Sequence, residues 1–141
     1  MTTARGLRNN NPGNIDYNPA NPWQGQLPHD PAIEKRFARF DTPENGIRAL
    51  ARTLLTYYRK HGLKTVAAII GRWAPSHENN TAAYVRSVER VLVNHAIAVA
   101  ALNVEQPLVL SCLATAIIHH ENGGNPYEAS VVAEGIRRAL A

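Results

Sequence analysis

The sequence is short of several features that would fix its class at once. It has a single cysteine, Cys112, so no internal disulfide can form and stability must come from packing. Cys112 sits in Leu110-Ser111-Cys112-Leu113-Ala114, where a thiol behaves as a small buried hydrophobe. No apolar run is long enough to span a bilayer, and Met1-Thr2-Thr3-Ala4-Arg5-Gly6 is no apolar leader, so membrane insertion is not expected and synthesis is expected in the cytoplasm. Aromatics are scarce at 6%, while Ala, Ile, Leu and Val dominate, which suits helices packed on helices. Like charges never form a run. The net charge of +4 comes from residues scattered between Arg36 and Arg138, a pattern that reads as a solvated basic surface open to a polyanion, with no dedicated nucleic-acid site. There is no Gly-rich phosphate loop and no Ser nucleophile elbow. His119 and His120 are adjacent and so point apart on a helix, and His29, His61, His77 and His95 stand alone, so neither a metal nor another cofactor is expected.

A chain of 141 residues fits one domain, 1–141, long enough to bury a single core. Residues 1–40 are turn-rich, with Asn9-Asn10-Asn11-Pro12-Gly13-Asn14, Asn18-Pro19, Asn21-Pro22 and Asp30-Pro31 forbidding a long helix. Ile15, Tyr17, Trp23, Leu27, Phe37 and Phe40 would pin this segment, with or without a short hairpin, onto a helical body spanning 42–141. There, Thr42-Pro43-Glu44 caps a helix that ends at Gly62. Thr65 caps a second helix that stops before Pro75, and Asn79-Asn80-Thr81 opens a third with Tyr84, Val85, Val88, Val91 and Leu92 on its buried stripe. A fourth is expected from about Val104 to Glu121. Asn125-Pro126-Tyr127-Glu128 reads as N-cap, first-turn proline and capping-box acid of a last helix through Val131, Val132, Ile136 and Leu140. The fold class is mainly α.

The chemistry concentrates in Ala116-Ile117-Ile118-His119-His120-Glu121-Asn122-Gly123-Gly124-Asn125-Pro126-Tyr127. Counting back from Glu121 at helical spacing gives Ile118, Ile117, Ala114, Leu113 and Leu110, an apolar face. Glu121 therefore leaves the core-facing side of its helix at the C-terminal end, where burial and the helix dipole both favour the protonated acid. That form is the one acid-catalysed glycosidic cleavage needs. The same spacing also fits a surface residue at a frayed helix end.

Glu121-Asn122-Gly123-Gly124-Asn125-Pro126 is similar to the Glu-Ser-Gly-Gly-Asn-Pro signature of lysozyme-like lytic transglycosylases, departing at Asn122, where that family usually has Ser. The order of pieces departs too, since segments similar to the family's later ones come first here: Asn14-Ile15, the Ile47 to Tyr58 helix, Trp73-Ala74-Pro75 and Tyr84-Val85. With Arg8 to Ile15, Phe40 to Ala49 and Arg72 to Pro75, nearly the whole chain resembles phage-encoded virion-associated or lysis proteins that degrade peptidoglycan. The resemblance implies a lysozyme-like helical domain, circularly permuted so that the catalytic helix lies on the C-terminal side.

It also implies roles. Glu121 would be the single catalytic acid, cleaving the β-1,4 bond between N-acetylmuramic acid and N-acetylglucosamine. Tyr84 would line the cleft near it. By residue type alone, Trp73 and Tyr127, with Trp23, are candidates to stack on sugar rings, and Asn14, Asn79 and Asn125 to bond acetamido groups. A hydrolase would need a second carboxylate, with Glu44, Glu78, Asp16 and Asp41 as candidates, whereas a transglycosylase would need none. Each role has a plainer competitor: Trp73 suits an apolar helix face, Asn125 a helix cap and Glu44 a dipole-matched helix start. The implied partners are glycan strands and other virion proteins, and a monomer is expected. The implied site of action is the periplasm or wall, reached by the virion or a holin-like pore. The alternatives are a non-catalytic virion or wall-binding protein of the same fold and a peptidase, against which the lack of a metal set and a Cys-His pair speaks.

Overall fold

Thr42 begins the helical body as its side chain suggests: its hydroxyl accepts the amide of Asn45, Pro43 takes the first helical position, and Glu44 meets the positive dipole end. The computed structural model describes residues 3–141; Met1 and Thr2, which head the stretch read for a leader, lie outside the described residues. Among the described residues the protein is mainly α, with helices α1 (Arg5–Arg8), α2 (Pro43–His61), α3 (Val66–Trp73), α4 (Thr81–Asn94), α5 (Pro107–Asn122) and α6 (Ala129–Leu140). Thr65 and Asn80 cap α3 and α4 by accepting the amides of Ala68 and Ala83. None of these helices is long and apolar enough to cross a membrane.

The core forms around α2, whose Ile47, Leu50, Ala51, Leu54 and Leu55 are buried. Against them pack Leu110, Leu113, Ala114, Ile117 and Ile118 of α5, Val132, Ile136 and Ala139 of α6, Ile69 and Ile70 of α3, and Tyr84, Val88 and Leu92 of α4. Each fully buried Leu or Ile contributes on the order of 1.5–3 kcal/mol relative to exposure, which makes this cluster the main source of stability. Gly135 lets α6 lie close on α2, because a Cβ there would come within 2.7 Å of the Ile47 Cβ. Arg138 adds a polar tie, donating to Asn45 Oδ1 and to Glu134, whose carboxyl the two arginines Arg137 and Arg138 hold down at about 2.

The turn-rich N-terminal segment is ordered by buried polar residues. Asn11 is fully buried; its carboxamide donates to the carbonyls of Ile15 and Ala38 and accepts the Ile15 amide. Glu34, only 5% exposed, accepts from the Arg5 guanidinium, from Asn9 Nδ2 and from the amides of Arg36 and Phe37. Among the described residues there is no extended strand here: the short-hairpin reading reduces to isolated antiparallel bridges pairing Asp16 with Phe37 and Gln26 with Phe40. The asparagine- and proline-rich turns leave too few consecutive extended residues for a ladder.

Two helix starts differ from the sequence expectation. α5 begins at Pro107, not near Val104, because a residue before proline avoids the helical region and Gln106 is extended (φ −73°, ψ 127°). Val104 is a buried loop anchor. The last helix begins at Ala129, not at Pro126. Asn125 uses its side chain two residues on, accepting the Tyr127 amide in a turn, and Glu128 stands extended at the cap position without a side-chain cap bond.

Candidate functional site

Helix α5 carries Glu121 in its last turn and ends at Gly123, which takes the left-handed conformation (φ 69°) that a side chain would resist. The apolar face counted back from Glu121 is buried, so the carboxylate leaves the core half-exposed. Both of its oxygens are held. The Tyr84 hydroxyl, from α4, donates to Oε2 at 2.7 Å, and Asn14 Nδ2, from the N-terminal segment, donates to Oε1 at 3.2 Å. Tyr84 is fully buried and its ring stacks on His120 at 3.7 Å. Burial, and the Glu121 carboxylate beside it, push the Tyr84 phenol far above its usual range, so it stays a donor. Asn14 adopts φ 52°, a left-handed backbone that asparagine tolerates better than other side chains.

Glu121 opens into a cleft of about 310 Å³ between the N-terminal segment and the helical body. One wall is Gly13, Asn14, Ile15, Asp16, Arg36 and Phe37; the other is Thr53 and Tyr57 of α2, Trp73 at the end of α3, and Ala74, Glu78 and Asn79. Trp73 is partly packed against the core and partly presented to the cleft. Gly13 lies against its indole, at a distance where a Cβ would sit 3.2 Å from the ring. Asn79 also lines the cleft and donates to the Pro75 carbonyl.

Of the other expected residues, Tyr127, Asn125 and Glu44 are not brought to this lining. Tyr127 packs against the main core, and its hydroxyl is buried with no hydrogen-bond partner among the described residues. Asn125 is occupied with its turn, and the Glu44 backbone lies beneath α6 at Gly135. Trp23 packs on the Phe40 cluster, and Asp41 accepts from Asn45. The cleft's remaining carboxylates, Asp16 and Glu78, share one cation: Arg36 donates to Asp16 Oδ1 at 2.7 Å and to Glu78 at 3.4 Å. Among the described residues, Glu121 is the cleft carboxylate without a cationic partner.

Arg36, Phe37 and Tyr57 line the site although the sequence pattern gives them no site role: Phe37 reads as an anchor of the N-terminal segment and Arg36 as one of the scattered surface charges. Tyr57 lies four residues after Thr53 in α2, the spacing that puts both on the face toward the cleft. Burial raises the Tyr57 phenol despite the Arg72 guanidinium lying over its ring. Among the described residues, no group of three His, Cys, Asp or Glu side chains comes together as a metal centre would require.

No protein-family model matches this sequence. It is similar to Protein P5 of Pseudoalteromonas phage PM2, 41% identical over 136 residues that cover 94% of this chain and 79% of the relative. At that identity and coverage, the protein belongs to the family of this phage protein.

Proposed function

We propose that the protein is a peptidoglycan lytic transglycosylase of a circularly permuted lysozyme-like fold, with Glu121 as its catalytic acid and base. The observation that carries the reading is that Glu121, at a helix end, is the cleft carboxylate without a cationic partner among the described residues, held by Tyr84 and Asn14 at a cleft of about 310 Å³. Protonated Glu121 would donate to the glycosidic oxygen as the substrate's own N-acetyl oxygen attacks C1. The same carboxylate would then take the proton of the C6 hydroxyl as that oxygen displaces the acetamido group, leaving a 1,6-anhydro sugar.

The pairing of Asp16 and Glu78 with Arg36 favours this route over ordinary hydrolysis. A retaining or inverting hydrolase needs a second carboxylate available to a sugar carbon or a water, and these two are engaged with a guanidinium. Trp73 supplies an aromatic face to the cleft and Asn79 a carboxamide. The phage origin of the relative agrees with a lytic role at the wall, reached from a virion or through a pore.

Digestion of purified sacculi by wild type and Glu121→Gln, with the soluble products weighed by mass spectrometry, tests the proposal. Anhydro-muropeptides from wild type alone are expected. Reducing-end muropeptides would replace the transglycosylase with a hydrolase and direct attention to Asp16 and Glu78. Sacculus binding without cleavage by either form would identify a wall-binding protein, and cross-link cleavage with intact glycan a peptidase.

A further inference from the structure

Two carboxamide oxygens beside the acid, those of Asn14 and Asn122, are buried with no hydrogen-bond partner among the described residues. Neither reflects a carboxamide that should be turned round. Asn122 Nδ2 already donates to the carbonyls of Pro12 (2.8 Å) and Ile118 (2.9 Å), and Asn14 Nδ2 to Glu121. Both oxygens converge instead on α1. A Cβ placed on Gly6 would lie 2.6 Å from Asn122 Oδ1, 2.9 Å from Asn14 Oδ1 and 2.8 Å from the Asn11 carbonyl oxygen. None of the three can retreat independently. The Asn11 carbonyl accepts the Asn14 amide, the Asn11 amide donates to the Gly6 carbonyl, and Asn122 is tied to Pro12 on the same loop. The bare Gly6 Cα therefore lets the loop and the end of α5 approach closely, where any side chain would spread them apart.

We propose that Gly6 and Asn122 are positioning residues that together lock the Asn14 carboxamide onto Glu121 and so fix the direction of the acid. Asn122 ties the last turn of α5 to the loop at Pro12, two residues before Asn14, and Gly6 closes that junction from the other side. This gives Asn122 a task of its own at the position where the resembling enzymes usually have serine. The inference rests on the transglycosylase reading for its catalytic meaning, but its geometry can be measured separately.

The test compares wild type, Gly6→Ala, Asn122→Ala and, as a control, Gly71→Ala, whose added methyl meets open space. Three quantities are read: muropeptide release from purified sacculi, cosedimentation with the same sacculi, and the side-chain amide cross-peaks of Asn14 in ¹⁵N–¹H spectra. For Gly6→Ala, release is expected to fall about 10- to 100-fold, the loss that a displacement of about 1 Å at a reacting group produces. Cosedimentation is expected to stay within about twofold of wild type, a split that a general loss of structure would not give. The Asn14 cross-peaks should move in Gly6→Ala and Asn122→Ala and stay in place in Gly71→Ala. Should Gly6→Ala not fold, Asn122→Ala removes the tie without adding an atom and is expected to lose about tenfold in release. Release at the wild-type rate from either folded variant, or Asn14 signals that do not move, would overturn the proposal. A wild type that cleaves no sacculi would instead overturn the transglycosylase reading, and the Asn14 signals would then decide the lock alone.

Discussion

Two tyrosine hydroxyls near the end of α5 have opposite expected worth. Tyr84 donates to a carboxylate from a fully buried position, whereas the Tyr127 hydroxyl is buried with no partner among the described residues. Tyr84→Phe is expected to lose about 1–2 kcal/mol of stability, since it strips a buried hydrogen bond, and to slow muropeptide release at least tenfold. Tyr127→Phe removes only an unsatisfied group, so denaturant unfolding should show equal stability or a gain of about 1 kcal/mol, with release unchanged. Equal effects from the two substitutions would contradict the bonding described here. Asn14 can be divided in the same way. Asn14→Gly keeps the left-handed backbone and deletes the carboxamide, while Asn14→Ala deletes the carboxamide and strains the backbone as well. Both should lose activity alike, and Ala should be less stable than Gly by about 1 kcal/mol in a thermal or urea melt.

Between elements, the closest approaches are made where glycine removes a side chain. A Cβ at Gly46 would overlap the Asn10 carbonyl oxygen, where the N-terminal loop crosses the first turn of α2, and one at Gly135 would strike Ile47. Backbone yields less readily than a side-chain tip. Gly46→Ala is therefore expected to cost about 3 kcal/mol or more, Gly135→Ala about 1–3 kcal/mol, and Gly71→Ala to gain up to about 1 kcal/mol from helix propensity. Urea titrations that ranked them otherwise would show that the loop or α6 relaxes. The element scale was also where the sequence was most legible. Thr42, Thr65 and Asn80 cap by a local bond, and Gly62 and Gly123 end helices by a local backbone state, so a few neighbours decide the outcome. Asn125-Pro126 misled because asparagine serves equally as helix cap or turn former, and only the path of the chain after Gly124 selects the turn. The place of Glu121 at the end of its helix, off the core-facing stripe, was legible from periodicity. Arg36 was not, since its importance lies in meeting Asp16 and Glu78, which come from separate stretches of chain.

At the scale of the molecule, the cleft joins two differently stabilised parts. The helical wall rests on the apolar core, while the N-terminal wall rests on buried polar residues, above all Glu34. The Arg5 guanidinium holds the Glu34 carboxyl far below the usual carboxylate range, against the opposing cost of burial, and the amides of Phe37 and Arg36 help. In the unfolded chain the same group titrates near its ordinary value of about 4.3. The folded state thus binds fewer protons, and the stabilisation is complete above the unfolded value. As pH falls below about 4.3 the unfolded chain takes up a proton first, and the contribution shrinks steadily toward the much lower folded value. Melting temperature should accordingly drop between about pH 5 and pH 3 in wild type and much less in Glu34→Gln. At neutral pH Glu34→Gln should itself be less stable by about 2–3 kcal/mol, below the usual cost of breaking a buried ion pair because Arg5 is 45% exposed. Residues 36 and 37 line the cleft directly after this knot. Acid should therefore loosen that wall before the helices melt, and hydrogen exchange at pH 4 should show amides 34–38 losing protection ahead of Leu50 and Leu54 in α2. If both regions opened together with equal free energies, the two walls would form one cooperative unit, and Glu34 would support the whole fold instead of the cleft's N-terminal side.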